Sequence, residues 1–87
     1  MERPDDKRVC HFVFEHWSYE GQYDAKSDKF INVRQNCDRI QECDFEDIEE
    51  WSYVDIKLTK ELLKGSRNPR NKELINQMKV WGVWDKS

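Results

Sequence analysis

Residues 9–24 change pattern part-way along. The run VCHFVF is almost wholly apolar, as suits a strand buried on both faces; beyond it apolar residues keep one direction, through Trp17, Tyr19 and Tyr23. Glu15, Ser18, Glu20, Gln22 and Asp24 leave the opposite direction polar. The pattern predicts one long strand over 9–24, with Gly21 marking a bulge or a close backbone approach. Residues 25–28 (AKSD) fit a four-residue hairpin loop, and 29–37 return as the partner strand. That register sets Asp24 against Lys29, Tyr23 against Phe30 and Tyr19 against Arg34: an ion pair, an aromatic pair and a cation-π contact. Residues 1–8 are charged and contain Pro4, and are expected to be a mobile lead-in to a single globular domain over 9–87. Residues 38–43 fit either an extension of the strand or the start of a helix.

The segment 44–58, DFEDIEEWSYVDIKL, joins this hairpin to a helical second half. Asp44 is a good N-cap for a short helix over 45–50, whose acidic first turn complements the helix dipole. The run WSYVDIKL then alternates, predicting a strand over 51–58. Its aliphatic set, Val54, Ile56 and Leu58 with Ser52, is expected in the core, and Trp51, Tyr53, Asp55 and Lys57 outward. Thr59 is placed as the cap of a short helix ending before Gly65, a residue suited to a left-handed C-terminal position. Asn68 followed by Pro69 signals the start of a last helix over 69–81, with Leu74, Ile75, Met78 and Trp81 as its apolar stripe and Gly82 as its end.

These elements predict an α+β fold: an antiparallel sheet of about three strands packed against two C-terminal helices. The expected core is Phe12, Phe14, Val33, Val54, Ile56, Leu62, Leu74 and Met78. A chain of 87 residues buries only about 60 to 65% of the surface its unfolded form exposes. Charged residues make up 38%, which leans toward solvation, but an aromatic share of 13% supplies large rings enough for a core.

Charge is segregated. Residues 38–55 hold eight acidic side chains against Arg39 alone, and 57–72 hold six basic ones against Glu61. The net charge of −3 excludes a globally basic nucleic-acid binder while leaving local patches open. No apolar run approaches the roughly 20 residues of a membrane span, and MERPDDKR lacks the hydrophobic stretch of a signal peptide. With three cysteines at spacings that match no secreted framework, the chain is expected to be cytoplasmic, with free thiols in a reducing compartment and no membrane association.

Cys10, His11, His16, Cys37 and Cys43 are residue types that suit zinc, but neither Cys-x2-Cys nor His-x3-His occurs, so no metal or other cofactor is expected. There is no G-x-S-x-G elbow, P-loop, G-x-G-x-x-G or HExxH, and three glycines are few for a phosphate-cradling loop. The expectation is therefore a non-enzymatic protein. Glu46, Asp47, Glu49 and Glu50 beside Trp51 and Tyr53 combine steering charge with anchor aromatics, as expected of an interface for a protein partner with a basic surface. By analogy alone, a small acidic protein of this kind acts as an inhibitor or adaptor, for example a phage-type protein that occludes the nucleic-acid site of an enzyme. The alternative is nucleic-acid binding through Lys64, Arg67, Arg70 and Lys72, which surround the start of the last helix and suit phosphates.

Overall fold

A computed structural model describes residues 1–34, 40–65, 68–69 and 71–84. The chain forms two compact units, Met1–Val54 and Asp55–Ser87, and its class is α+β.

The first unit is an antiparallel sheet of five strands in the order β4-β3-β2-β1-β5. They are β1 (Val9–Phe14), β2 (Trp17–Asp24), β3 (Lys29–Ile31), β4 (Cys43–Asp44) and β5 (Glu50–Tyr53). The long strand predicted over 9–24 is two strands. The chain reverses at Glu15 and His16, whose φ angles of 49° and 68° are both positive, so that Phe14 pairs with Trp17. Two successive positive φ values make the hairpin turn whose twist matches its flanking strands, and asparagine and glycine are its usual residues. Neither stands here, so the turn carries no sequence signal, and the change from continuous to alternating apolarity was the trace of a hairpin.

The expected register of the second hairpin holds at Asp24↔Lys29 and Tyr23↔Phe30, but β3 stops at Ile31. Asn32, at a φ of 50°, turns the chain. Arg34 then meets Glu20 rather than Tyr19: its amide donates to the Glu20 carbonyl (2.8 Å) and its guanidinium to the carboxylate (3.1 Å). Tyr19 stacks on Phe12 instead. The remainder of the predicted strand, at 35–37, lies outside the described residues. Gly21 does mark a close approach, since a Cβ there would lie 3.1 Å from both the Ile31 carbonyl oxygen and Val33 Cγ2.

The strand predicted over 51–58 is a strand only to Tyr53. Asp55 caps a helix, α1 (Ile56–Lys64), by accepting from the Leu58 amide at 3.0 Å, and the Thr59 hydroxyl donates to the Asp55 carbonyl at 2.7 Å. Thr59 is thus inside the helix it was expected to cap. The faces of the strand are also reversed: Trp51 lies opposite Phe12 and Tyr53 opposite Cys10, on the aromatic side, while Ser52 is exposed. The helix predicted over 45–50 is a single 3-10 turn, Phe45–Asp47, without a side-chain cap from Asp44. Its product is the burial of Phe45.

Rings dominate the core of this unit. Phe12 and Phe30 are fully buried and stacked at 4.3 Å, Phe30 stacks on Phe45 at 6.2 Å, and Tyr23 meets both Phe30 and Phe45 edge-on at 5.7 Å. Each such pair contributes about 0.5 to 1.5 kcal/mol beyond the area it buries. Cys10, Tyr19, Val33, Cys43 and Ile48 complete the cluster, with Phe14, Ile40 and Trp51 packed against it.

The second unit contains α1 and α2 (Asn71–Val80). Gly65 closes α1 with right-handed geometry (φ −87°), not the left-handed one expected of it. The Asn68–Pro69 turn leads into α2 through the Asn71 amide on the Asn68 carbonyl and the Lys72 amide on that of Pro69. At its far end Gly82 has a φ of +73°, its amide donates to Lys79 and that of Val83 to Met78, the reciprocal pair of bonds of a Schellman motif. Met78 and Trp81 are buried, while Leu74 and Ile75 are half-buried. Leu63 is buried in place of Leu62, which is 67% exposed, and Leu58 is also exposed, so both depart from the expected core. Val54 and Ile56 are half-buried. Among the described residues no helix is long and apolar enough to cross a membrane.

Candidate functional site

The acidic residues of the site come from the 3-10 turn and the start of β5. Glu46 and Asp47 occupy the turn that buries Phe45, so the residue that anchors the turn also forces its carboxylates outward. Glu49 precedes β5 and Glu50 opens it, and the Glu49 amide donates to the Val13 carbonyl (2.8 Å) although Val13 already faces Glu50. Two residues thus address one, the arrangement of a β-bulge, which re-aims side chains at a sheet edge. All four side chains are exposed. Glu46 lies 3.9 Å from the Arg3 guanidinium and Glu49 is 3.2 Å from His16 Nδ1; among the described residues no cation stands within 4 Å of Asp47 or Glu50.

The aromatic partners expected for these acids are differently placed. Trp51 is half-buried against the core, and its indole N–H donates to the Glu2 carbonyl (2.8 Å). Tyr53 meets Trp51 edge-on at 5.0 Å, its hydroxyl accepts from the Asp5 amide (2.9 Å), and the Arg8 guanidinium lies 4.1 Å above its ring. Both rings are therefore engaged by residues 2–8. Among the described residues the most exposed aromatic is Trp17, 58% accessible at the tip of the β1–β2 hairpin, directly after the His16 that pairs with Glu49. Sequence reasoning assigned Trp17 to the apolar face of a long strand. The signal that places it at a tip is the Glu15–His16 turn, which the residue types conceal.

The segment 1–8, expected to be a mobile lead-in, has its own set of contacts. Arg3 makes two hydrogen bonds to Asp28 (2.9 and 3.1 Å) and lies 4.9 Å above the Phe45 ring. Asp28 also accepts a short hydrogen bond from the Tyr23 hydroxyl, and Lys7 is ion-paired with Asp24. Asp6 accepts from the Ala25 amide at 2.9 Å, and Pro4 is buried. Hydrogen bonding to Arg3, with a further bond from Tyr23, holds the Asp28 carboxyl below the usual carboxylate range. Burial, reinforced by the bond to Asp28, pushes the Tyr23 hydroxyl up to about 12.

Of the alternative phosphate-binding set, Lys64 is exposed in the last turn of α1 and Lys72 is exposed in the first turn of α2. Arg67 and Arg70 lie outside the described residues, so the four are not assembled into a described site. Of the zinc candidates, Cys10 and Cys43 share the buried core cluster. Cys10 is buried on the aromatic side of the sheet and His16 is at the hairpin tip, while Cys37 is outside the described residues. Among the described residues no three His, Cys, Asp or Glu side chains are grouped as a metal ion would need. Burial pushes the Cys10 thiol up to about 12, and burial with the nearby Asp47 carboxylate takes Cys43 to about 11, so neither carries a nucleophilic thiolate near neutrality. A shallow cleft of about 190 Å3 is lined by Phe14, Lys29, Glu42, Cys43, Asp44 and Asp47. It is smaller than the few hundred Å3 of a typical small-molecule site.

Comparison of the chain with protein families, curated proteins and solved structures found no match.

Proposed function

We propose that the sheet unit is a non-catalytic protein-binding module, an inhibitor or adaptor, that engages a basic surface of its partner through Glu46, Asp47, Glu49 and Glu50. The observation that carries this reading is the exposure of Trp17 at the hairpin tip, directly after the His16 that pairs with Glu49. An interface of this kind pairs long-range steering by charge with an aromatic side chain that loses its water on docking. Trp17 takes the anchor role expected of Trp51.

The test is affinity capture from a lysate, with and without nuclease treatment, with the whole chain as bait. Reversal of the four carboxylates to lysine is expected to abolish capture of the partner, and replacement of Lys64, Arg67, Arg70 and Lys72 by alanine to leave it intact. Trp17→Ala is expected to weaken the same capture by about ten-fold or more at unchanged thermal stability. Recovery of nucleic acid alone, lost with the four cations, would overturn the proposal.

A further inference from the structure

Residues 1–8 divide at Lys7. From Lys7 onward the backbone joins the sheet: the Lys7 amide donates to the Tyr23 carbonyl (2.6 Å) and the Tyr23 amide to that of Arg8 (3.0 Å). Before it, the chain doubles back through an Asp5–Arg8 turn closed by the Arg8 amide on the Asp5 carbonyl (3.2 Å). Lys7, the third residue of that turn, has a φ of 64°, where glycine is the unstrained choice. Each hydrogen bond described between Met1–Asp6 and the sheet uses at least one side chain: Arg3 to Asp28, Asp6 to Ala25, the Glu2 carbonyl to the Trp51 indole, and the Asp5 amide to the Tyr53 hydroxyl. Five of these six residues are exposed, Pro4 being the exception. The segment therefore lies on the sheet unit without being woven into its ladder.

What lies beneath it is a recognition surface already in use. Asp28 offers both carboxylate oxygens in line with a guanidinium, and the Phe45 ring sits under the same group, a combination of bidentate pairing and stacking that selects arginine over lysine. The Trp51 indole and the Tyr53 hydroxyl supply one donor and one acceptor for the main chain of whatever lies across them. We infer that Met1–Asp6 is an intramolecular strap occupying a docking surface built from Asp28, Phe45, Trp51 and Tyr53, and that an extended arginine-bearing segment of the partner protein takes its place on binding. This rests on the protein-binding reading above and names the chemistry of the partner's segment.

Tethering gives the strap an effective concentration on the order of millimolar, so an outside segment competes once the strap's own arginine is removed. A fluorescein-labelled peptide with the sequence of residues 1–8 is titrated against the full-length protein and its Arg3→Ala variant, with anisotropy as the readout. Binding to the variant is expected to be about ten-fold tighter than to the wild type, and to vanish when the arginine at the peptide's third position is replaced by alanine. Equal affinity for the two proteins, or binding to neither, overturns the proposal. Should the variant fold poorly, hydrogen exchange on the wild-type chain decides. The Asp5 and Ala25 amides, bonded through the strap, are expected to exchange at least about ten-fold faster than the Tyr23 amide in the ladder. Equal rates would mean that the segment opens only with the sheet. Neither readout involves Trp17, Glu49 or Glu50, so failure of the strap is distinguishable from failure of the acidic interface.

Discussion

Residues 1–54 and 55–87 carry opposite charge and bury themselves by different means. The sheet unit has fourteen acidic and seven basic side chains, a net of −7, and the helical unit has four and eight, a net of +4. The sheet unit closes around stacked rings far apart in sequence, Phe12 on Phe30 and Phe30 on Phe45. The helical unit is held at its ends by local devices, the Asp55 cap and the Gly82 turn, and leaves Leu58, Leu62 and Val80 exposed. Rings remove enough area from water for a small sheet to tolerate a dense carboxylate shell, whereas short helices depend more on satisfying their own termini. The two regions should therefore fail in different ways.

The largest effect is expected from Phe12→Ala, which removes a fully buried ring stacked on two others and should cost about 3 to 5 kcal/mol in urea unfolding. Leu62→Ala, in the helical unit, should stay within about 0.5 kcal/mol because that side chain is exposed. Equal losses at the two positions would break the contrast. Glycine substitutions sharpen it at a smaller scale. Gly21→Ala drives a methyl against the Ile31 carbonyl and Val33 and should destabilise by about 1 to 3 kcal/mol. Gly65→Ala, in open right-handed backbone, should be neutral or stabilise by up to about 1 kcal/mol, as read by thermal melting.

Asp55→Ala tests the local device directly. Loss of the bond to the Leu58 amide should cost about 1 kcal/mol and reduce far-ultraviolet helical signal while leaving near-ultraviolet aromatic dichroism in place. A matching loss of the aromatic signal would count against separate modes of burial.

Acid should weaken the sheet unit through two of its carboxylates. Asp28 is held below the usual carboxylate range by Arg3 and then Tyr23, and Asp24 by Lys7 and then Ser27. Since both are depressed on folding, their stabilisation is present above the unfolded value of about 4 and is lost as pH falls through the lower folded values. The Arg3 Nε–H resonance should stay protected from exchange through the ordinary carboxylate range and lose that protection only as pH falls through the depressed folded value of Asp28. Asp28→Asn should remove it already at neutral pH, and protection persisting in strong acid would show that the carboxylate is not what holds Arg3.

The parts of this architecture legible from sequence are those governed by neighbours along the chain. Lys29 and Phe30 find Asp24 and Tyr23 because a short loop fixes the register, and the α2 stripe through Met78 and Trp81 follows the helical repeat up to a glycine that must turn left. The acidic residues at 46–50 were legible as exposed because charge resists burial. Illegible were the Glu15–His16 turn, made by residues that do not favour it, and the boundary at Asp55, where an alternating run and a capped helix share the same letters. Leu62 and Leu63 are interchangeable by composition and opposite in fate.

What the sequence by itself determined is the α+β class, the segregation of charge and the second hairpin's register, since each depends on composition or on contacts a few residues apart. Which ring is covered was decided only by tertiary structure. Trp51 is engaged because Glu2, 49 residues away, brings a carbonyl to its indole, and Trp17, directly after the Glu15–His16 turn, is left exposed. Local periodicity sets which way a side chain leaves the backbone, but only the packing of distant segments determines whether anything lies there to receive it.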